Sequence, residues 1–185
     1  MNLGRVIRIV TAMGTALIAA SAMAATPASA SASNSPVAES SLLTRQARSD
    51  AELREQIALQ LKIAPGGKQT SRNEVSYDNG KFVVTYALPG TLAITGAADC
   101  PSGWFCFYED INFGYPRGKL SDCGTQYLGA YGWNNRTSSV HNSTDSTIFY
   151  TSLGGETLIR NYAGEAIAWV GANANDRAQY VNRQC

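Results

Sequence analysis

One histidine, three methionines and only 16% charged residues mark this sequence. Each shortage excludes something. A lone imidazole, His141, cannot build a histidine-rich metal cluster, and the sequence pairs it with neither a nucleophile nor an orienting acid. Fifteen Lys and Arg against fourteen Asp and Glu leave a formal charge of +1, too little field to steer the chain onto nucleic acid or anionic lipid. Beyond residue 30 no stretch is apolar enough to cross a bilayer, which excludes a membrane span there.

Residues 1–30 are of another kind. Arg5 and Arg8 precede an apolar run that ends in Ala28-Ser29-Ala30, the order of a secretory signal peptide. Cutting after Ala30 removes two cations and leaves 13 against 14, a charge of −1. The expected location is therefore extracellular, and the expected state a monomer. All four cysteines, Cys100, Cys106, Cys123 and Cys185, lie beyond this segment. An even count in a small exported chain reads as two disulfides, with three possible connectivities. Zinc is the competing reading, but C-x5-C is not its usual spacing and only one histidine is present. Oxidised cysteines leave no thiol nucleophile.

Residues 31–46, rich in Ser, Ala and Asn, are expected to be an unstructured start. Residues 47–99 read as a small helix plus a β-hairpin. Ser49 can cap the helix with Glu52 three residues on, Leu53, Ile57 and Leu61 form its apolar stripe, and Pro65-Gly66-Gly67 stops it. Asn79-Gly80 supplies the positive-φ pair of a tight turn, with Phe82, Val84, Tyr86 and Leu88 on one face. So short a segment buries little by itself. It either docks on the remainder or is a pro-region that is later removed.

From Cys100 onward Gly, Asn, Ser, Thr and aromatics dominate. "WFCFYED", "GKLSD", "SSVHN", "TIFYTS", "TLIRNY", "AIAWVG" and "AQYVN" recur as candidate strands between turn residues. That spacing predicts an all-β sandwich or barrel over residues 100–185.

Within it, "FYEDINFGY", Phe107 to Tyr115, resembles the opening hairpin of a βγ-crystallin Greek key. Tyr108 and Phe113 stand as its two aromatics, Tyr115 where its Gly is expected, and Gly114 one position early. About thirty residues on, NNRTSS (Asn134 to Ser139) matches the microbial βγ-crystallin calcium motif of two Asn/Asp, two free positions, Ser/Thr and Ser. The "CPSGWFCFYED" opening is similar to that of the bacterial secreted metalloproteinase inhibitors, exported domains of βγ-crystallin type. The resemblance covers residues 100–185 and implies a double Greek-key sandwich. It also implies the pairing Cys100–Cys106, which leaves Cys123 to Cys185.

The same resemblance implies a Ca2+ site. Its motif residues are Asn134 and Asn135, which shape the turn, with Arg136 O and Ser138 Oγ as ligands, while Ser139 holds the folded hairpin. Calcium takes six to eight oxygens at about 2.3–2.6 Å. The completing loop would lie near Thr151-Ser152, which lacks adjacent carboxylates. A weaker second site would join Glu109 and Asp110 to the defective "NDRAQY" stretch through Asp176 and Arg177, where Gln179 and Tyr180 replace the hydroxyl residues. Low ligand charge puts such affinity near 10⁻⁴–10⁻³ M.

No enzyme is expected. Neighbouring Glu109 and Asp110 point to opposite faces of a strand and make a poor acid/base pair. The expected function is that of a secreted peptidase inhibitor directed at extracellular metalloproteases. The inhibitory loop is unassigned, because the close cysteine pair that brackets it in the inhibitors is missing after Cys123. A calcium-stabilised structural domain, or an envelope- or carbohydrate-binding module, is the alternative; Trp104, Trp133 and Trp169 could form a sugar platform, but in a small sandwich such residues are more often core or disulfide packing.

Overall fold

The computed structural model describes residues 41–91 and 97–185. The expected signal peptide and most of the expected unstructured start lie outside them. No helix among the described residues is long and apolar enough to cross a membrane.

The elements run α1 (Asp50–Ile63), β1 (Lys68–Ser71), β2 (Glu74–Tyr77), β3 (Phe82–Thr85), β4 (Phe105–Asp110), β5 (Gly114–Leu120), β6 (Gly124–Tyr127), β7 (Ser139–Asn142), β8 (Ile148–Thr151), β9 (Thr157–Asn161), β10 (Ala166–Ile167) and β11 (Tyr180–Arg183). The strands form a seven-stranded sheet, β1-β2-β3-β5-β4-β7-β10, and a four-stranded sheet, β6-β11-β8-β9. Strands β4–β7 and β8–β11 are two Greek keys that exchange their third strands: β6 leaves the first to pair with β11, and β10 leaves the second to pair with β7. Neither key closes a core without the other. Phe105, Phe107, Trp133, Ile148, Tyr150 and Val181 from both keys are fully buried in one cluster.

Two glycines let β5 lie where it does. A Cβ on Gly118 would sit 2.2 Å from the Phe107 ring, and one on Gly114 would sit 2.6 Å from Asp110 Cβ, so both positions require its absence. The disulfides are Cys100–Cys106 and Cys123–Cys185. The second spans 62 residues, and closing so long a loop stabilises by about 4 kcal/mol in the chain-entropy account.

The helix-and-hairpin segment docks. β3 pairs antiparallel with β5, Phe82 opposite Leu120 and Thr85 opposite Arg117, so the hairpin extends the first key's sheet and covers what would be its edge. Ser49 caps α1 by accepting from Glu52 N at 3.2 Å, while Glu52 turns to Arg48 N rather than back to the cap. Leu53 and Ile57 are buried as the stripe predicts, and Leu61 is half-buried. Gln56 and Gln60, polar on paper, are fully buried as well. Each finds acceptors: Gln56 donates to Leu42 O and Arg45 O, and Gln60 donates to Tyr77 Oη and Tyr131 O and accepts from Tyr86 Oη. Residues 41–46, expected to be unstructured, are likewise held. Leu43 is buried, and Gln46 donates to Leu88 O and Thr91 O. An apolar Leu42-Leu43 pair beside the amphipathic helix is the physical reason.

The join runs through aromatics. Phe82 stacks on Tyr131 at 4.0 Å between centroids and lies 5.9 Å from Phe107. A large buried ring removed to Ala costs about 3–5 kcal/mol. Phe82→Ala should therefore lower the stability of the whole protein by that amount in one cooperative urea transition. A second, unchanged transition belonging to residues 97–185 would show that the segment folds apart from the keys.

Candidate functional site

The NNRTSS stretch follows a 3-10 turn, Leu128–Tyr131, that ends in left-handed Gly132. Asn135 takes φ +55°, and Asp176 takes φ +54° at the matching place in the second key. The two turns bond each other reciprocally: Asn135 N donates to Ala178 O at 3.0 Å, and Asp176 N donates to Thr137 O at 3.1 Å. Ser139 Oγ donates to Asp110 O at 2.7 Å and accepts from Phe113 N at 3.0 Å, tying the motif to the β4–β5 turn. Tyr108 and Phe113 meet edge to face at 5.4 Å across that hairpin.

Arg136 is buried. Its Nε donates to Glu109 Oε2 at 2.7 Å, its other nitrogens donate to Gly132 O and Leu43 O, and its guanidinium lies 4.5 Å from the centre of the Trp133 ring. Burial pushes the Glu109 carboxyl up to about 7, with the guanidinium pulling the other way. Leu43 belongs to the N-terminal segment, so the segment lies over this end of the keys.

The structure divides the motif residues between two neighbouring clefts. Asn134, Asn135 and Arg136 line one, under Leu43 and Ile63. Ser138 lines the other, with Asp110, Ile111, Trp169 and Asn175, while Thr44, Glu109 and Asp176 border both. Ser138 Oγ donates to Asp176 Oδ1 at 3.4 Å. Glu109, Asp110 and Asp176 thus come together, but with Ser138 rather than Arg177. Arg177 turns to Glu156 and to Asn173 O. Thr151 does not meet the NNRTSS residues either; its carbonyl accepts from Gln179 N of the second turn, and Ser152 Oγ accepts from Glu156 N.

That division bears on calcium. The second cleft is lined by three carboxylates, Glu109, Asp110 and Asp176, and by the hydroxyls of Thr44 and Ser138. Glu109 is engaged by Arg136, whose fixed positive charge also acts on Asp176. Among the described residues no group of three or more His, Cys, Asp or Glu is arranged to hold a metal. Calcium takes six to eight oxygens, and here Arg136 places a positive charge beside the carboxylates that would supply some of them.

His141 is committed elsewhere. Its Nδ1 accepts from Cys100 N at 3.2 Å, so the neutral ring carries its proton on Nε2 and donates it to Ser143 Oγ at 3.2 Å. The Ser143 hydroxyl in turn donates to Cys100 O at 3.0 Å. A serine that receives a proton from the imidazole is not activated by it. The pair braces the Cys100 strand entry, and burial lowers the His141 pKa.

Sequence reasoning missed Ile111 and Trp169 as parts of one surface. Both are more than half exposed. Asn112 N to Ala168 O at 2.7 Å joins their loops, a contact that only the strand exchange creates.

Residues 93–159 match the family model of peptidase inhibitor family I36, a span that takes in the first key, β8 and the start of β9. The domain, with its two strand-exchanged keys, is βγ-crystallin-like, and over that span it is similar to the I36 peptidase inhibitors. Among solved structures, a βγ-crystallin domain from Clostridium beijerinckii aligns at 24% identity over 43% of this chain and 94% of its own, with a TM-score of 0.37. Spherulin 3A from Physarum polycephalum aligns at 20% identity over 48% and 89%, with a TM-score of 0.38. No curated protein matches the chain.

The Glu109–Arg136 pair has a pH signature. With Glu109 at about 7 in the folded protein and near 4.5 unfolded, the native state holds the extra proton between those values. Stability from this group is therefore greatest below pH 4.5 and falls as pH rises toward 7. The wild-type advantage over Glu109→Gln, measured by urea unfolding, should shrink from pH 5 to pH 7.5. A difference independent of pH would mean that Arg136 keeps Glu109 ionised throughout.

Proposed function

We propose that this βγ-crystallin-like protein is exported and inhibits an extracellular protease of the metalloprotease class. The single observation that carries the reading is the match of residues 93–159 to the I36 peptidase inhibitors. The fold is suited to the task. Two disulfides, an exchanged pair of strands and a sheet extended by the N-terminal hairpin hold the surface loops stiffly, and a stiff loop loses little entropy on docking. Disulfides are consistent with an oxidising, extracellular compartment, and residues 1–30 supply the export signal.

The oxidised protein, titrated into zinc metalloproteases and serine proteases at equal enzyme concentration, should abolish activity of a metalloprotease at near-stoichiometric ratio and leave the serine enzymes active. Inhibition of serine proteases alone would reassign the class. No inhibition of either would overturn the reading.

A further inference from the structure

The second cleft holds an unbalanced charge. Asp110 makes no ion pair among the described residues, and Asp176 bonds only to the neutral Ser138 and Asn175 side chains. Burial and the presence of Asp176 raise the pKa of Asp110. Two carboxylates that repel each other across one cleft are complementary to a cation.

The walls say which kind. Ile111 and Trp169 are 51% and 57% exposed, among the most exposed large apolar side chains of the described residues, and both line this cleft. Trp169 is mounted stiffly, because Ala168 O accepts from Asn112 N at 2.7 Å on one side and Val170 N donates to Ser138 O at 3.0 Å on the other. An exposed indole face offers nothing to a metal ion. To a guanidinium or ammonium it offers a cation–π contact, and to the methylenes behind the charge it offers apolar surface. The protein already contains this arrangement in satisfied form: Arg136 lies between the Glu109 carboxylate and the Trp133 ring. The open cleft repeats the carboxylate and the tryptophan, but no cationic side chain among the described residues bonds to Asp110 or Asp176.

We propose that the cleft between the Asp110-Ile111 turn and the Trp169 loop is a docking surface for an arginine or lysine side chain projecting from a protein partner. The partner's cation sits against Asp110 and Asp176, and its stem lies along Ile111 and Trp169. Only the identity of that partner rests on the inhibitor reading. Peptide binding reads the surface and protease assays read the inhibition, so each can fail without the other.

The test uses the oxidised full-length protein and a capped, dye-labelled tetra-arginine peptide, followed by anisotropy at low ionic strength. Saturable one-to-one binding is expected. It should weaken at least tenfold in Asp110→Asn/Asp176→Asn and several-fold in Trp169→Ala, and stay unchanged in Asp145→Asn, which removes a remote exposed acid. Neutralising two mutually repelling carboxylates should leave the melting temperature of the double variant unchanged or raised, showing that its loss of binding is not unfolding. No binding, or an equal loss in Asp145→Asn, would overturn the proposal. So would millimolar CaCl2 raising the melting temperature of the wild type but not of the double variant while the peptide fails to bind; the cleft would then be a metal site.

Discussion

A guanidinium taken out of water must be surrounded by acceptors, and Arg136 is. Its partners come from three separate parts of the chain: Glu109 at the end of β4, the carbonyl of Gly132 before the motif turn, and the carbonyl of Leu43 in the N-terminal segment. Moving any of these would leave a buried charge short of a bond. The ion pair is thus a weak source of net stability but a strong constraint on arrangement. It fixes where the segment lies, which way Glu109 points, and which carboxylates remain free for something else.

The same economy runs through the sheets. By lending β6 to the second key and receiving β10 in return, the first key makes its core conditional on the second. The hairpin β2–β3 then continues the first sheet past β5, and Phe82 enters the aromatic layer of Tyr131 and Phe107. The segment buries Phe82, Val84 and Tyr86 completely and ties Gln60 to Tyr131 O of the first key.

Much of this was legible because the relevant signals are local. The Ser49 cap, the positive-φ Asn79-Gly80 turn and the alternation Phe82, Val84, Tyr86 are each decided within a few residues. So is the β4–β5 hairpin, with Tyr108 and Phe113 at its corner. What could not be read depends on distant partners. Gln56 and Gln60 look like the wet face of a helix until carbonyls from Leu42, Arg45 and Tyr131 are placed beside them. β1 and β6, in "KQTS" and "GTQY", carry no apolar alternation and become strands only because β2 and β11 offer them an edge. "AIAWVG" keeps just two residues in a strand, since β7 is the only neighbour of β10. The NNRTSS residues were legible as one turn but not as the lining of two clefts, because the dividing element is the Arg136 side chain and its target, Glu109, lies 27 residues away.

That division also explains why the open cleft differs from the filled one. The β4 ladder shifts register between Tyr108 and Asp110, and Glu109 and Asp110 both border the open cleft. Glu109 is buried against Arg136, while Asp110 is exposed and shares the cleft with Asp176 of the second key. Arg177, which holds in the second key the place that Arg136 holds in the first, turns outward to Glu156 and supplies no internal cation. One key therefore pairs its acid from within, while Asp110 between the keys has no ion-pair partner among the described residues.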